Sequence, residues 1–535
     1  LSASSTAIGD LMIASATTFD TSGSRMMMGR NYTNSGTLSA GTTQVIEFNG
    51  TGSQFVATEQ NFGNVAITNT VGNVTSTGHT RTFGDLIINS GARYGISTGQ
   101  LTVSSSTSMR GTLTTVGGVS FTGAVTTTGA FNQNSTATFA NTWEKSTTGV
   151  YNGTATSTFS GSAAQRLPVG VTLGGLIVNK SAETLTLGGD ATSTAGVTLT
   201  AGTFSMGTST LSVTGGNWSN GGATFQRVNG TILFYGSDSP TFNESSLYHL
   251  TINKTVGTVT LSNAATSTGR VAVIAGDLTL TNGTVLELNG DTTPLVVTGT
   301  LTPGTASIRY ATTTAMNVAA INHHILTLGS TGTYTVTAST TARNDFNLSG
   351  GTLTLGSNVL YVGGNITNGG TIATGTTGAI ELNGGGAQTF PTFTLDNLNV
   401  RKPANTATFS GHVTSTGAVR VSQGELSLGG QTLVLVGDTR PLVMNGGTLT
   451  PASGVVTYST GTGITMTVAS TTYYDLITRG SGTYAIDAST TAMNDVEVAG
   501  GTLNPGSNIL YMGRNWVTAS AGLTTGVTGG VALNG

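Results

Sequence analysis

The feature that most constrains this chain is that it repeats itself. The segment GTLTLGSNVLYVGGN at 351–365 returns as GTLNPGSNILYMGRN at 501–515, an offset of 150. YTVTASTTARND at 334–345 returns as YAIDASTTAMND at 484–495, again 150 on, and GDLTL at 276–280 returns as GELSL at 424–428, 148 on. A finer period lies inside the long one. A run ending in glycine, with Gln or Pro four residues later, occurs as IEFNGTGSQF (46–55), FSGSAAQRL (159–167), FYGSDSPTF (234–242) and IELNGGGAQTF (380–390). Its marker glycines are Gly50, Gly161, Gly236 and Gly384, and a last copy, VALNG, ends at Gly535; the spacings of 111, 75, 148 and 151 are close to three, two, four and four units of 37. The runs LIVNK to Lys180, LTINK to Lys254 and LNVRK to Lys402 keep the same phase, as do the Thr-Ser-Thr triplets at Thr192, Thr266 and Thr414. Fixed-period self-similarity is the mark of a chain that stacks one supersecondary unit on the next.

The unit is β. Alternating runs such as DLTLT from Asp277 and VLEL from Val285 put one apolar face inward at period two. Asn-Gly and Gly-Gly pairs between them supply the positive φ that tight corners need. Thr and Val abound while the strong helix formers Glu, Lys, Arg and Gln are scarce. GTL-type strand starts lie about 18 to 24 residues apart, at Gly276 and Gly299, Gly351 and Gly370, Gly424 and Gly447. That is the length of one solenoid coil. The expected fold is therefore all-β: a parallel β-solenoid (β-helix) of stacked coils of about 18–25 residues, continuous over 1–535, with long repeats at 202–350 and 351–500 and a partial one at 501–535. About 24 coils at roughly 4.8 Å each would give a stack near 115 Å. The rival is a string of β-sandwich modules of about 75 residues, but the 9 prolines and unvarying composition mark no module boundary.

Only 8% of residues are charged, and stacking gives the reason. Identical charges directly opposite one another in adjacent strands repel, so a long parallel stack favours Thr, Ser and Asn. The 19 basic residues are scattered singly and the net charge is −3, which argues against nucleic acid as a partner. No apolar run is long enough to span a membrane as a helix. There is no cysteine, so disulfides, thiolate chemistry and Cys-based zinc sites are excluded. The match of Gly29-Arg-Asn-Tyr32 to Gly513-Arg-Asn-Trp516 puts both ends in one phase. Residues 1–535 are expected to be a window on a longer array.

The pattern Gly-x-Asn-aromatic-x-Asn-x-Gly-Thr, seen as Gly29-Arg-Asn-Tyr-Thr-Asn-Ser-Gly-Thr37, is followed by Val45-Ile-Glu-Phe-Asn-Gly50 and then by Leu-x-Ile-x-Lys. It resembles the repeats of giant secreted bacterial surface proteins with β-strand repeats, similar in style to filamentous-haemagglutinin and autotransporter adhesins. The resemblance implies export, an extracellular or cell-surface location and a structural or adhesive role. It names no ligand.

Candidate chemistry is thin. The histidines are His79, His249, His323, His324 and His412; only His323 and His324 adjoin, and neighbours on a strand point to opposite faces, so no metal site is expected. A β-helix hydrolase or lyase would need clustered carboxylates. The 22 acids are dispersed, and several recur at equivalent places: Asp277 with Glu425, Glu47 with Glu381, Asp345 with Asp495, Asp291 with Asp438. Recurrence suits a turn or scaffold residue better than a unique catalyst. No segment matches the calcium-binding nonapeptide. Sequons at Asn31, Asn134, Asn229 and Asn347 follow from the abundance of Asn, Ser and Thr. Trp143, Trp218 and Trp516 are too sparse for a sugar-stacking platform; Trp218 and Trp516 lie in the Gly-x-Asn-aromatic motif, as core or corner plugs. No catalytic, cofactor-binding or metal residue is expected, and no cofactor. The expected function is structural: a rigid surface rod, stalk or filament that self-associates into fibres or continues end to end. The alternatives are adhesion to glycan, a host or cell surface, or another copy through a lateral Thr/Asn face, and a carbohydrate-active β-helix.

Overall fold

The computed structural model describes every residue except 1–2, 22, 58–59, 83, 374–376, 520–521, 524–527 and 535, so the last marker glycine, Gly535, lies outside the described residues. The chain is all-β, with parallel strands stacked about 20 residues apart in a β-solenoid of about 26 turns, close to the 24 expected. It packs as two compact units, one of Leu1–Asn263 with Val273–Leu278 and Thr298–Thr300, the other of Ala264–Ala272 with Thr279–Val297 and Leu301–Gly535.

In the first unit a coil contributes three short strands, for example Leu86–Ile88, Arg93–Ile96 and Gln100–Val103. Each pairs in parallel with its counterpart one coil on. The column Ile46, Val65, Leu86, Thr107, Val125, Trp143 runs through six successive coils in steps of 18 to 21 residues. The second unit repeats the scheme, with Leu286, Ile308, Leu326, Phe346 and Ile366 in one column at steps of 18 to 22. Period-two alternation decides what faces inward: in Gln100–Val103, Leu101 and Val103 are fully buried while Gln100 and Thr102 are not.

The interior is built of like side chains stacked in register. Phe121, Phe139 and Phe159 occupy one column, with ring centroids 5.4 and 5.2 Å apart. Trp143 lies parallel to Phe139 at 4.6 Å. Threonine and serine do not only face outward: Thr107, Thr115, Thr127, Ser157 and Ser193 are buried. Several of these hydroxyls serve corners and other polar groups. Ser193 Oγ donates to Gly196 O at 2.6 Å, Ser157 Oγ donates to Gln133 Oε1 at 2.8 Å, and Thr127 Oγ1 accepts from Trp143 Nε1 at 3.2 Å. Buried backbone acceptors must find donors, and a short hydroxyl reaches them without a charge.

Because Phe139 touches Phe121, Phe131, Trp143 and Phe159, Phe139→Ala is expected to cost about 3–5 kcal/mol. The check is urea unfolding followed by tryptophan fluorescence, in which the transition should move to lower denaturant.

Candidate functional site

The most elaborate polar arrangement is a corner that the sequence marks by its Gln and Lys repeats. In the strand Gly175–Leu187, alternation sends Leu176, Val178 and Lys180 to the same inward side. Lys180 is 1% exposed and Lys402, its equivalent in Asn397–Phe409, is 0% exposed. A buried ammonium is costly unless its three donors are met or an opposite charge lies near. Lys180 Nζ donates to Ser160 O at 2.9 Å, Ala163 O at 2.6 Å and Gln165 Oε1 at 2.7 Å. Lys402 Nζ donates to Gly384 O at 2.8 Å, Gly386 O at 2.8 Å and Gln388 Oε1 at 2.6 Å. Three donors meet three acceptors, and the loop after the marker glycine closes round the cation.

The glutamine ties this cage to the preceding coil. Gln165 Nε2 donates to Phe139 O at 2.9 Å and Asn141 O at 2.6 Å; Gln388 Nε2 donates to Val362 O at 2.9 Å and Gly364 O at 2.6 Å. The following coil supplies a glycine. Gly202 and Gly424, 22 residues beyond their lysines, have φ of +78° and +76°, and a Cβ there would lie 2.3 and 2.8 Å from the lysine Cβ. Each corner thus spans three coils through Gln, Lys and Gly. Desolvation by burial pulls the pKa of Lys180, Lys254 and Lys402 below the usual lysine value, and at Lys180 the nearby Glu183 opposes the shift.

Two variations show what the corner requires. Near Gln54 the lysine position is Asn69, whose Nδ2 donates to Gly52 O at 2.7 Å and Gln54 Oε1 at 2.9 Å, so a neutral amide fills the same role with two donors. Near Lys254 the glutamine position is Pro240, which carries no side-chain acceptor, and the charge of Asp238 acts on the lysine instead. The sequence showed both repeats but not their meeting, because Gln and Lys lie 15 residues apart on different coils.

The other sequence candidates are dispersed. His79 and His412 are exposed and His249 and His324 half-buried, while His323 is fully buried. His323 Nε2 lies 3.1 Å from Ala319 O, and its ring meets that of Tyr310 edge-on at 6.0 Å; the Tyr310 hydroxyl accepts from Ala319 N–H at 3.1 Å. In the next long repeat Tyr473 takes the place of His323, bonding Ala469 O at 2.7 Å and the Tyr458 hydroxyl at 2.8 Å. The histidine is a corner plug. Recurring acids hold backbone or hydroxyl donors: Asp345 Oδ1 accepts from Asn365 N–H at 2.8 Å, Asp495 Oδ1 from Asn515 N–H at 3.1 Å, and Asp438 Oδ1 from Arg440 N–H at 3.0 Å. Glu425 is held below the usual carboxylate range by the hydroxyls of Thr450 and Thr406. Glu47 pairs with Arg25 and Thr68, and Asp291 with Arg270 at 3.0 Å. Trp218 is buried and Trp516 half-buried.

Sequence reasoning missed Glu244, which is 3% exposed and accepts from Asn220 Nδ2 at 3.0 Å and Trp218 Nε1 at 3.4 Å. Burial raises its pKa against those hydrogen bonds. Among the described residues, no three His, Asp or Glu side chains gather where they could hold a metal ion. No family model matches the chain, and neither a curated protein nor a solved structure matches it.

Two outcomes follow from this geometry. Lys402→Met strands three acceptors beneath the surface and is expected to lower stability by about 2–4 kcal/mol, read by chemical denaturation. For His323, burial pushes the folded pKa down to about 4. An unfolded histidine titrates near 6.5, so the unfolded chain takes up a proton that the folded chain refuses. Stability from this group is complete above pH ~6.5, falls between ~6.5 and ~4, and levels off below, a loss of at most about 3 kcal/mol. His323→Tyr should remove that component of the pH dependence, measured as the difference between the two stability–pH curves.

Proposed function

We propose that the chain is a structural, non-catalytic segment of an extracellular or cell-surface protein, forming a stiff rod or filament section. The observation that carries this reading is where the polar chemistry is spent. The buried cations and amides close corners and bind one coil to the next, as Lys180, Lys402, Gln165 and Gln388 do. Side chains on the lateral faces bond along the stack in the same way: Asn152 Nδ2 donates to Asn132 Oδ1 at 2.8 Å, Asn132 Nδ2 to Thr114 Oγ1 at 3.3 Å, and Thr367 Oγ1 to Asn347 Oδ1 at 2.8 Å. A β-solenoid of stacked repeats is consistent with a rod. Its stability grows as a sum of nearest-neighbour increments, which suits a part whose task is length. Export, surface location and self-association rest on the resemblance of the repeats.

Small-angle scattering tests the rod. Removing one long repeat, residues 351–500, deletes about seven coils and should shorten the particle by roughly 35 Å with little change in cross-section. A compact particle whose radius shrinks in every direction would contradict the proposal. Electron micrographs of the purified chain should show end-to-end or lateral fibres if it also self-associates.

A further inference from the structure

The asparagine of the Gly-x-Asn motif, followed by Tyr32, Trp218 or Ile366, has a task that one coil leaves undone. In three coils the asparagine oxygen reaches across to the backbone N–H just beyond the Gln or Pro of the following corner. Asn31 Oδ1 accepts from Phe55 N–H at 2.9 Å, Asn217 Oδ1 from Thr241 N–H at 2.8 Å, and Asn365 Oδ1 from Thr389 N–H at 2.9 Å. The equivalent pair in the fourth coil is Thr142 and Arg166, because Thr142 precedes Trp143 as Asn31 precedes Tyr32, and Arg166 follows Gln165 as Phe55 follows Gln54. Threonine cannot bridge the gap. The adjacent Asn141 does not substitute, since its Oδ1 accepts from Thr142 N–H at 2.8 Å. The N–H of Arg166 meets no side-chain acceptor among the described residues.

A groove of about 740 Å³ lies at this place, lined by Thr142, Glu144, Lys145, Arg166 and Thr186 over the buried Trp143 and Gln165. Trp143–Lys145 is the last hydrogen-bonded strand of its sheet; the next coil's Gln165–Leu167 lies against it without ladder pairing and pairs onward with Leu185–Leu187. The two cations at the groove keep donors in reserve. Arg166 Nη2 gives one bond to Gly188 O at 2.9 Å, and Lys145 Nζ gives two, to Gly149 O at 3.2 Å and Ser146 O at 3.4 Å. Glu144 is the one acid on the rim, leaving the groove with an excess of one positive charge.

We propose that this groove binds a carboxylate, the acceptor that the three related coils supply from within as an asparagine oxygen. A carboxylate oxygen would take the Arg166 N–H, with the Arg166 guanidinium and Lys145 ammonium beside it, a combination of charge and fixed donors that favours an anion over a neutral amide. A free carboxylic acid and a sugar acid offer the same group. Calorimetric titration with succinate, glucuronate and neutral glucose separates them. Binding of both acids assigns the site to the carboxylate alone; binding of glucuronate only assigns it to a sugar acid. Either supports the proposal, and added salt should weaken it.

The decisive variant is Thr142→Asn, which restores the internal bridge. It should reduce acid binding by about tenfold or more while leaving the circular dichroism unchanged and the melting temperature equal or higher. Arg166→Gln, at an exposed position, should reduce binding independently. The proposal is overturned if the native chain binds neither acid at millimolar concentration, if glucose binds as well as glucuronate, or if both variants bind like the native chain.

Discussion

Parallel in-register pairing leaves a solenoid no freedom at its corners. Every strand must hand the chain to the next face at the same height as the coil below, so the carbonyls that turn inward at a corner cannot escape to water and must be met where they lie. Hydroxyls meet some of them, as at Ser193. Where the loop after a marker glycine turns inward with several carbonyls at once, a single hydroxyl is not enough. There the chain inserts an ammonium, whose three donors reach two carbonyls and a glutamine oxygen together. A neutral amide at Asn69 manages two. At Lys180 and Lys402 the desolvation cost of the cation is offset by a complete cage, built from the lysine, the glutamine and the covering glycine together.

That dependence explains the two nested periods. Apolar alternation needs only an inward residue at every second position, and many sequences satisfy it. The complete corner, as at Lys180 and Lys402, takes Gln from one coil, Lys from the next and Gly from a third, so a change at any of them is felt by the other two. The chain keeps these three positions in phase while the strands between them drift in sequence. The Asp238 and Pro240 corner shows the tolerance of the scheme: the acceptor is lost and a charge of opposite sign takes its place.

The fold was legible because its signals are local. Alternation in segments such as DLTLT and the turn glycines could be read directly, and the coil length followed from the spacing of strand starts. The repeated Lys180, Lys254 and Lys402 were visible as markers of phase, but their role was not, since a lysine in a sequence reads as solvent-facing. Only three-dimensional stacking brings Lys180 to Gln165. Glu244 escaped notice for a related reason: it has no counterpart in the other repeats, and its partners Trp218 and Asn220 come from the preceding coil. The Thr142 exception was hidden in the same way. Its significance rests on three asparagines whose bonding partners lie 24 residues away.

The chain has four lysines, Lys145, Lys180, Lys254 and Lys402, and three of them are the corner residues. Amine-specific labelling of the native protein, read residue by residue by mass spectrometry, therefore tests the account at its centre. Lys145 should label freely, while Lys180, Lys254 and Lys402 stay protected until the chain is unfolded and then label like Lys145. Equal labelling of all four in the native state would mean that the corner ammonium groups are open to solvent, and that something else holds the coils in register.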